Sequence, residues 1–138
     1  MWKYSYLLLA SVAIVLVLGS CADNGEVKAS LGQEFSLSIG QSVVITGEDL
    51  EIRFVAVSED SRCPKDVTCV WEGRVIALVE ISVDSSSQQL KLTQPGLTEQ
   101  YAMETYKDYQ LTFKVEPYPE EGKEIAADEY RLLLIISK

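Results

Sequence analysis

The chain has 138 residues, with 21 acidic and 12 basic side chains, three cysteines, no histidine and a formal charge of −9 at neutral pH. A field of that sign argues against nucleic acid, anionic lipid headgroups and anionic glycans as partners; basic protein patches, cationic peptides or divalent cations fit it better, and an acidic balance is also a common route to solubility alone. The lack of histidine excludes a Ser-His-Asp triad, and the few cysteines fall short of the four thiolate or imidazole ligands of a structural zinc site.

Residues 1–20, MWKYSYLLLASVAIVLVLGS, carry one lysine near the start, an apolar run over residues 7–18, and small residues before Cys21. That is the layout of a signal segment. As a helix, the stretch from Leu7 to Cys21 would span only about 22 Å, short of the roughly 30 Å hydrocarbon core, so the sequence predicts a cleaved signal in place of a permanent span.

The junction Leu18-Gly19-Ser20-Cys21 resembles the lipobox of bacterial lipoproteins. The resemblance implies that the Cys21 thiol receives a diacylglyceryl group, that the chain is cut before it, and that the new amino terminus takes a further acyl chain such as palmitate. Each buried methylene contributes about 0.8 kcal/mol, and two or more chains hold a protein stably on a bilayer. The implied location is the cell membrane or outer membrane, lipid-anchored and extracytoplasmic, with the membrane met through the lipid alone.

Lipidation of Cys21 leaves Cys63 and Cys69 as an even pair in a compartment where disulfides persist. It also removes Lys3 with the signal, so the mature chain carries about −10. Residues 21–32 are polar and small, and read as a lipidated tether that reaches at most about 35 Å when extended. Residues 33–138 read as a single β-sandwich domain, long enough for one hydrophobic core.

Within that domain the apolar pattern has period two, as in strands with one buried face. Phe35, Leu37 and Ile39 alternate with polar residues; residues 42–46 form a second run; Leu50, Ile52, Phe54 and Ala56 form a third. After a cysteine-bearing loop, Val75, Ala77, Val79, Ile81 and Val83 make one face of a central strand. Residues 84–87 are a polar turn and residues 89–93 a short strand, whereas residues 97–108 show no period and read as loop. Tyr109, Leu111, Phe113 and Val115 alternate cleanly, and the almost continuous run of residues 130–137 predicts a strand covered on both faces.

About seven short strands without a long segment at helical period predict an all-β fold, an antiparallel β-sandwich with Ig-like or open-barrel topology as variants. The immunoglobulin signature of two distant cysteines around a tryptophan is absent, since Cys63 and Cys69 are close together and Trp71 comes after both. Asp128-Glu129-Tyr130 is only a faint counterpart of a tyrosine corner.

The loop EDSRCPKDVTCVWEG, residues 59–73, concentrates the chemistry of the chain. A disulfide between Cys63 and Cys69 would close a ring of about seven residues and contribute roughly 2 to 2.5 kcal/mol in the chain-entropy model. Trp71 could lay its ring across the end of the core. Glu59, Asp60 and Arg62 could pair locally, as exposed pairs worth about 0 to 1 kcal/mol. The five-residue spacing between the cysteines is unlike the two-residue spacing of a thioredoxin-type motif. A stapled loop also loses little entropy on binding, which makes Lys65, Asp66, Val67 and Trp71 the candidate binding residues.

The core RCP-x4-C-x-W-x-G, met by Arg62, Cys63, Pro64, Cys69, Trp71 and Gly73, resembles a group of uncharacterised bacterial secreted and lipoprotein β domains. The resemblance extends over most of the mature chain and implies location and fold without an activity. Elsewhere, adjacent carboxylates at Glu48-Asp49, Glu59-Asp60, Glu120-Glu121 and Asp128-Glu129 read as solvated turns, and no EF-hand pattern, phosphate-cradling loop or nucleophile elbow is present. Tyr101, Tyr106, Tyr109 and Tyr118 are candidates for an aromatic patch. The expectation is a non-catalytic envelope domain, with no cofactor, metal or catalytic residue, that binds a protein or peptide or serves structurally. The alternatives are an extracytoplasmic enzyme inhibitor or a small-ligand or calcium-binding domain.

Overall fold

The computed structural model describes residues 25–138; the signal segment and Cys21 lie outside the described residues. The first strand, β1 (Glu26–Ala29), is succeeded by β2 (Glu34–Ser38), β3 (Ser42–Ile45), β4 (Leu50–Asp60), β5 (Arg74–Val83), β6 (Ser86–Pro95), β7 (Ala102–Tyr106), β8 (Tyr109–Glu116) and β9 (Arg131–Ser137). A single 3-10 turn, Ala127–Glu129, precedes β9. One sheet has the order β1-β3-β4-β5-β6 and the other β2-β9-β8-β7. Every pairing is antiparallel except β1 with β3.

This is the β-sandwich that period two anticipates, with nine strands among the described residues where seven are expected. Four consecutive strands, β3 to β6, run as a meander, an arrangement that the immunoglobulin order lacks. The inward-facing residues interdigitate between the sheets: Ile52, Phe54, Val79 and Ile81 from one, Leu37, Leu111, Phe113, Leu134 and Ile136 from the other, all fully buried. Their burial removes apolar surface from water at about 25 cal/mol per Å2 and is the main force holding the layers together.

The two additional strands are short and lie at sheet edges, where period is weakest. Part of the expected tether is β1, which offers only Val27 and Ala29 to the interior and adds itself parallel to β3. Part of the expected loop over residues 97–108 is β7, which packs only Ala102 and Tyr106 against the core. Strand β9 is central, yet it alternates: Leu132, Leu134 and Ile136 are buried, while Leu133 and Ile135 lie half-exposed on the outer side. That outer face is open and not covered on both sides as the apolar run implies.

Strand β4 departs from strict alternation for a structural reason. Its register against β5 shifts between Phe54 and Ala56 and again between Val57 and Glu59. Each bulge inserts an unpaired residue and rotates the strand beyond it. Val57 therefore takes the core side opposite Ala77 in place of Ala56, and Asp60 ends opposite Val75, at the inner lip of the sandwich.

Truncation of Phe113 to Ala should cost about 3 to 5 kcal/mol in urea unfolding, whereas Lys91→Ala on exposed β6 should stay within about 0.5 kcal/mol. Equal losses would contradict the placement of Phe113 between the sheets.

Candidate functional site

The loop between β4 and β5 leaves one strand at Asp60 and enters the next at Arg74. Its base is zipped: the Ser61 amide donates to the Arg74 carbonyl at 2.8 Å, and the Arg74 amide donates to Ser61 Oγ at 3.1 Å. Gly73 sits here at φ +68, and a Cβ on it would stand 1.9 Å from the Ser61 carbonyl oxygen. Only glycine fits that position. Beyond the base, Cys63 and Cys69 form a disulfide with Cα atoms 5.9 Å apart, within the ordinary span of the bond.

The loop is also fastened to the opposite layer. The Lys65 amide donates to the Pro119 carbonyl at 2.9 Å, and Lys65 makes an isolated parallel bridge with Glu120. The deepest fastening is Arg62, whose side chain has no solvent contact. Its Nε donates to Asp60 Oδ1 at 2.8 Å and its Nη2 to Asp60 Oδ2 at 2.7 Å, a two-point pairing with the carboxylate. Nη1 donates to the Val115 carbonyl and Nη2 to the Pro117 carbonyl, both at 3.0 Å. The guanidinium carbon lies 5.5 Å from the centre of the Tyr118 ring, and the Tyr130 hydroxyl donates to Asp60 Oδ2 at 2.9 Å.

This pairing is buried and not the exposed local contact that the loop's composition suggests. Bulged β4 turns Asp60 inward, and Arg62 accompanies it to the end of β8. For Asp60, burial alone would raise the carboxyl's pKa, but the hydrogen bonds and charge of Arg62 outweigh it and hold the group below its ordinary value. Burial first, then the bond to Asp60, pushes the Tyr130 phenol up to about 12. Tyr130 is thus not a tyrosine corner, since its hydroxyl reaches a side chain 70 residues upstream and not nearby backbone.

The outward side of the loop carries the candidate binding residues. Lys65 and Asp66 are exposed, with Asp66 at φ +63, a conformation Asp tolerates in a turn; Val67 is half-buried. Trp71 is 61% exposed, so it does not cover the core end, and neighbouring Val70 is 95% exposed. Val70 escapes sequence analysis because one valine beside a cysteine has no periodic context. Gly96 packs its backbone against the end of the loop: its amide donates to the Gly73 carbonyl at 3.1 Å, and a Cβ on it would lie 2.2 Å from the Glu72 carbonyl oxygen. The next residue, Leu97, is 62% exposed.

Beside the loop lies a cleft of about 600 Å3, lined among others by Gln94, Glu99, Lys114, Glu116, Tyr118 and Arg131. Gln94 forms its floor, accepting from the Val115 amide through Oε1 and donating to the Gln100 carbonyl through Nε2, each at 2.9 Å. Tyr118 donates its hydroxyl to the Gly96 carbonyl at 2.9 Å. No local motif in the sequence marks this cleft, because its walls come from segments that meet only where the chain crosses between the sheets.

The four tyrosines that are candidates for a patch are dispersed. Tyr109 is buried and donates to Glu48 at 2.7 Å; Tyr106 packs on the core; Tyr101 donates to Glu34 at 2.5 Å, and only Tyr118 lines the cleft. Among the described residues, no three His, Cys, Asp or Glu side chains are arranged to hold a metal ion. Comparison of the chain with family models, with curated proteins and with solved structures finds no match.

Asp60→Asn leaves the Arg62 charge buried without its counter-ion and should cost about 3 kcal/mol at pH 7. Because the Asp60 pKa is lower in the folded state, its stabilisation is complete above the unfolded value of about 4 and lost as pH falls through the folded one. The urea-midpoint gap between wild type and Asp60→Asn should therefore narrow as pH falls below about 4; an unchanged gap would remove Asp60 as the titrating group. At the alkaline end the sign is opposite. The phenol of Tyr130 is raised, so its contribution is complete below about pH 10 and fades between about 10 and 12. Tyr130→Phe should lack that alkaline loss.

Proposed function

We propose that the protein is a non-catalytic, lipid-anchored envelope module that binds another protein or a peptide through the end of the sandwich bearing the disulfide loop. The observation that carries this reading is the exposure of Val70 and Trp71 on a loop fixed by a disulfide, a glycine turn and a buried arginine, with exposed Leu97 following the Gly96 that packs on the loop's end. Large apolar side chains on a rigid mount lose little entropy when a partner covers them, and tryptophan is among the residues that dominate binding energy. The anchor rests on the Leu18-Gly19-Ser20-Cys21 resemblance. With β1 beginning at Glu26, a lipidated Cys21 is at most about 18 Å of extended chain from the first strand, so the domain works close to the bilayer.

A second reading shares the same loop. A protruding, disulfide-closed Val70-Trp71 segment also suits insertion into an enzyme's cleft, which would make the module an extracytoplasmic inhibitor.

Cys21→Ser should abolish lipid labelling in cells and move the protein out of the membrane fraction; unchanged labelling and fractionation would overturn the anchor. In-cell cross-linking should capture a partner with the wild type and lose it with Trp71→Ala, whose melting temperature should change little because the ring is exposed. The same partners captured by both would overturn recognition through this loop.

A further inference from the structure

We infer that the cleft beside the loop is a subsite for a basic side chain, so that the partner presents a cationic segment running from the Val70-Trp71 patch into the cleft. This rests on the peptide-binding reading above and names the chemistry of the ligand. The first observation is the cleft itself, whose volume of about 600 Å3 falls within the roughly 300 to 1,000 Å3 that ligand-holding cavities show. An arginine or lysine side chain with its flanking backbone would occupy it readily.

The second observation is where the charge lies. Residues 116–129 carry six carboxylates and one lysine, more than half of the chain's formal charge of −9, and two of those carboxylates, Glu116 and Glu129, line the cleft itself. The basic side chains at the cleft are already engaged. Lys114 pairs with Glu116 at 2.7 Å and stands 5.4 Å from the Tyr101 ring centre, while Arg131 donates to the carbonyls of Asp128 and Tyr130 at 2.7 and 2.9 Å. Lys123 at the rim is paired with Glu120. Glu99 lines the cleft, is exposed and, among the described residues, makes no ion pair. Among the lining residues Glu99, Glu116 and Glu129 outnumber Lys114 and Arg131, so the cleft carries a net negative charge, and it is open to solvent on one side.

The third observation is the π face. Tyr118 borders both this cleft and a smaller one of about 200 Å3 that it shares with Glu124 and Glu129, so its ring sits between two acidic hollows. The same ring already lies 5.5 Å from the protein's own guanidinium, Arg62. Cations are attracted to tyrosine faces at such distances. Floor and wall are held in place before any ligand arrives, through Arg62 to Val115 and Pro117, Gln94 to Val115, and Tyr118 to Gly96.

The test is titration of the full-length protein with hexa-arginine, monitored by amide chemical shifts, with hexa-glutamate as the anionic control. Hexa-arginine should shift the amides of Glu99, Val115, Glu116, Tyr118 and Glu129 together, and hexa-glutamate should shift none of them. Because an acidic protein attracts any polycation, the deciding comparison is between two variants of equal charge change. Glu99→Lys should weaken hexa-arginine binding by about tenfold and Glu104→Lys on β7 by no more than about twofold, since exposed charges beyond a Debye length of about 8 Å are screened. Equal losses in both, or shifts centred on the Glu48-Asp49 or residue 84–85 turns, would overturn the subsite. The cell experiment separates this failure from that of the wider reading. If Trp71→Ala loses the partner and Glu99→Lys keeps it, the cleft inference falls and loop recognition stands; if both keep it, loop recognition falls.

Discussion

A guanidinium with no solvent contact, placed where the cysteine loop meets the opposite sheet, is the constraint on which this end of the molecule depends. Arg62 spends its donors on the two carboxylate oxygens of Asp60 and on two carbonyls, those of Val115 and Pro117. The first pair belongs to the end of β4, the second to the end of β8 and the turn beyond it. Desolvation of such an ion costs several kcal/mol, and well-packed hydrophobic residues can replace buried ion pairs without loss of stability. Its contribution is therefore better sought in position than in net free energy. A hydrophobic side chain could fill the same volume, but it could not fix the direction of two carbonyls and a carboxylate at once.

The site beside it inherits that placement. The cleft floor at Val115 and the wall at Pro117 and Tyr118 are bonded to Arg62 or adjacent to residues that are, and the loop that Arg62 opens is held from its other end by Gly73 and the disulfide. The disulfide alone closes only a short ring and restrains it relative to itself. Arg62 restrains the loop relative to the sandwich. Both restraints are needed before exposed Val70 and Trp71 count as a preorganised surface and not merely as apolar residues on a turn.

The layers are legible in the sequence wherever a strand is long and one face is buried. Phe35 and Leu37, Leu50 to Phe54, Val75 to Val83, and Tyr109 to Val115 all fall on the inner faces that period two assigns them. The pattern fails at β1 and β7 because their inward residues, Val27 with Ala29 and Ala102 with Tyr106, are small or only partly buried and give a weaker alternation than Phe35 and Leu37 of β2. It also fails in the second half of β4, where two bulges exchange Ala56 for Val57 without any local signal. The disulfide is legible by counting, whereas the burial of Arg62 is not. A charged residue inside a polar run reads as solvated, and its partners lie up to 55 residues away along the chain. Asp60, two residues before it at a strand end, is the one available hint. The cleft is invisible for the same reason, since Gln94, Glu99 and Glu116 are joined by the fold alone.

The uneven charge of the chain has a structural side as well as a chemical one. Like charges within a Debye length of about 8 Å repel, so a segment with six carboxylates in fourteen residues would tend to leave the surface if it were not tied down. It is tied to the rest of the fold by Pro117 and Pro119 through their carbonyls and Tyr118 through its hydroxyl, and braced within itself by Glu120 with Lys123 and by Ala126 with the Glu129 carboxylate that caps the 3-10 turn. Several of these ties are to backbone and do not neutralise charge. Neutralising side chains would have steadied the segment more simply and erased the field. The ties at Pro117, Tyr118 and Pro119 fall on two carbonyls and a hydroxyl and neutralise no carboxylate, so they hold an acidic segment in a fixed shape, the condition under which its potential can select a ligand and not merely keep the protein soluble.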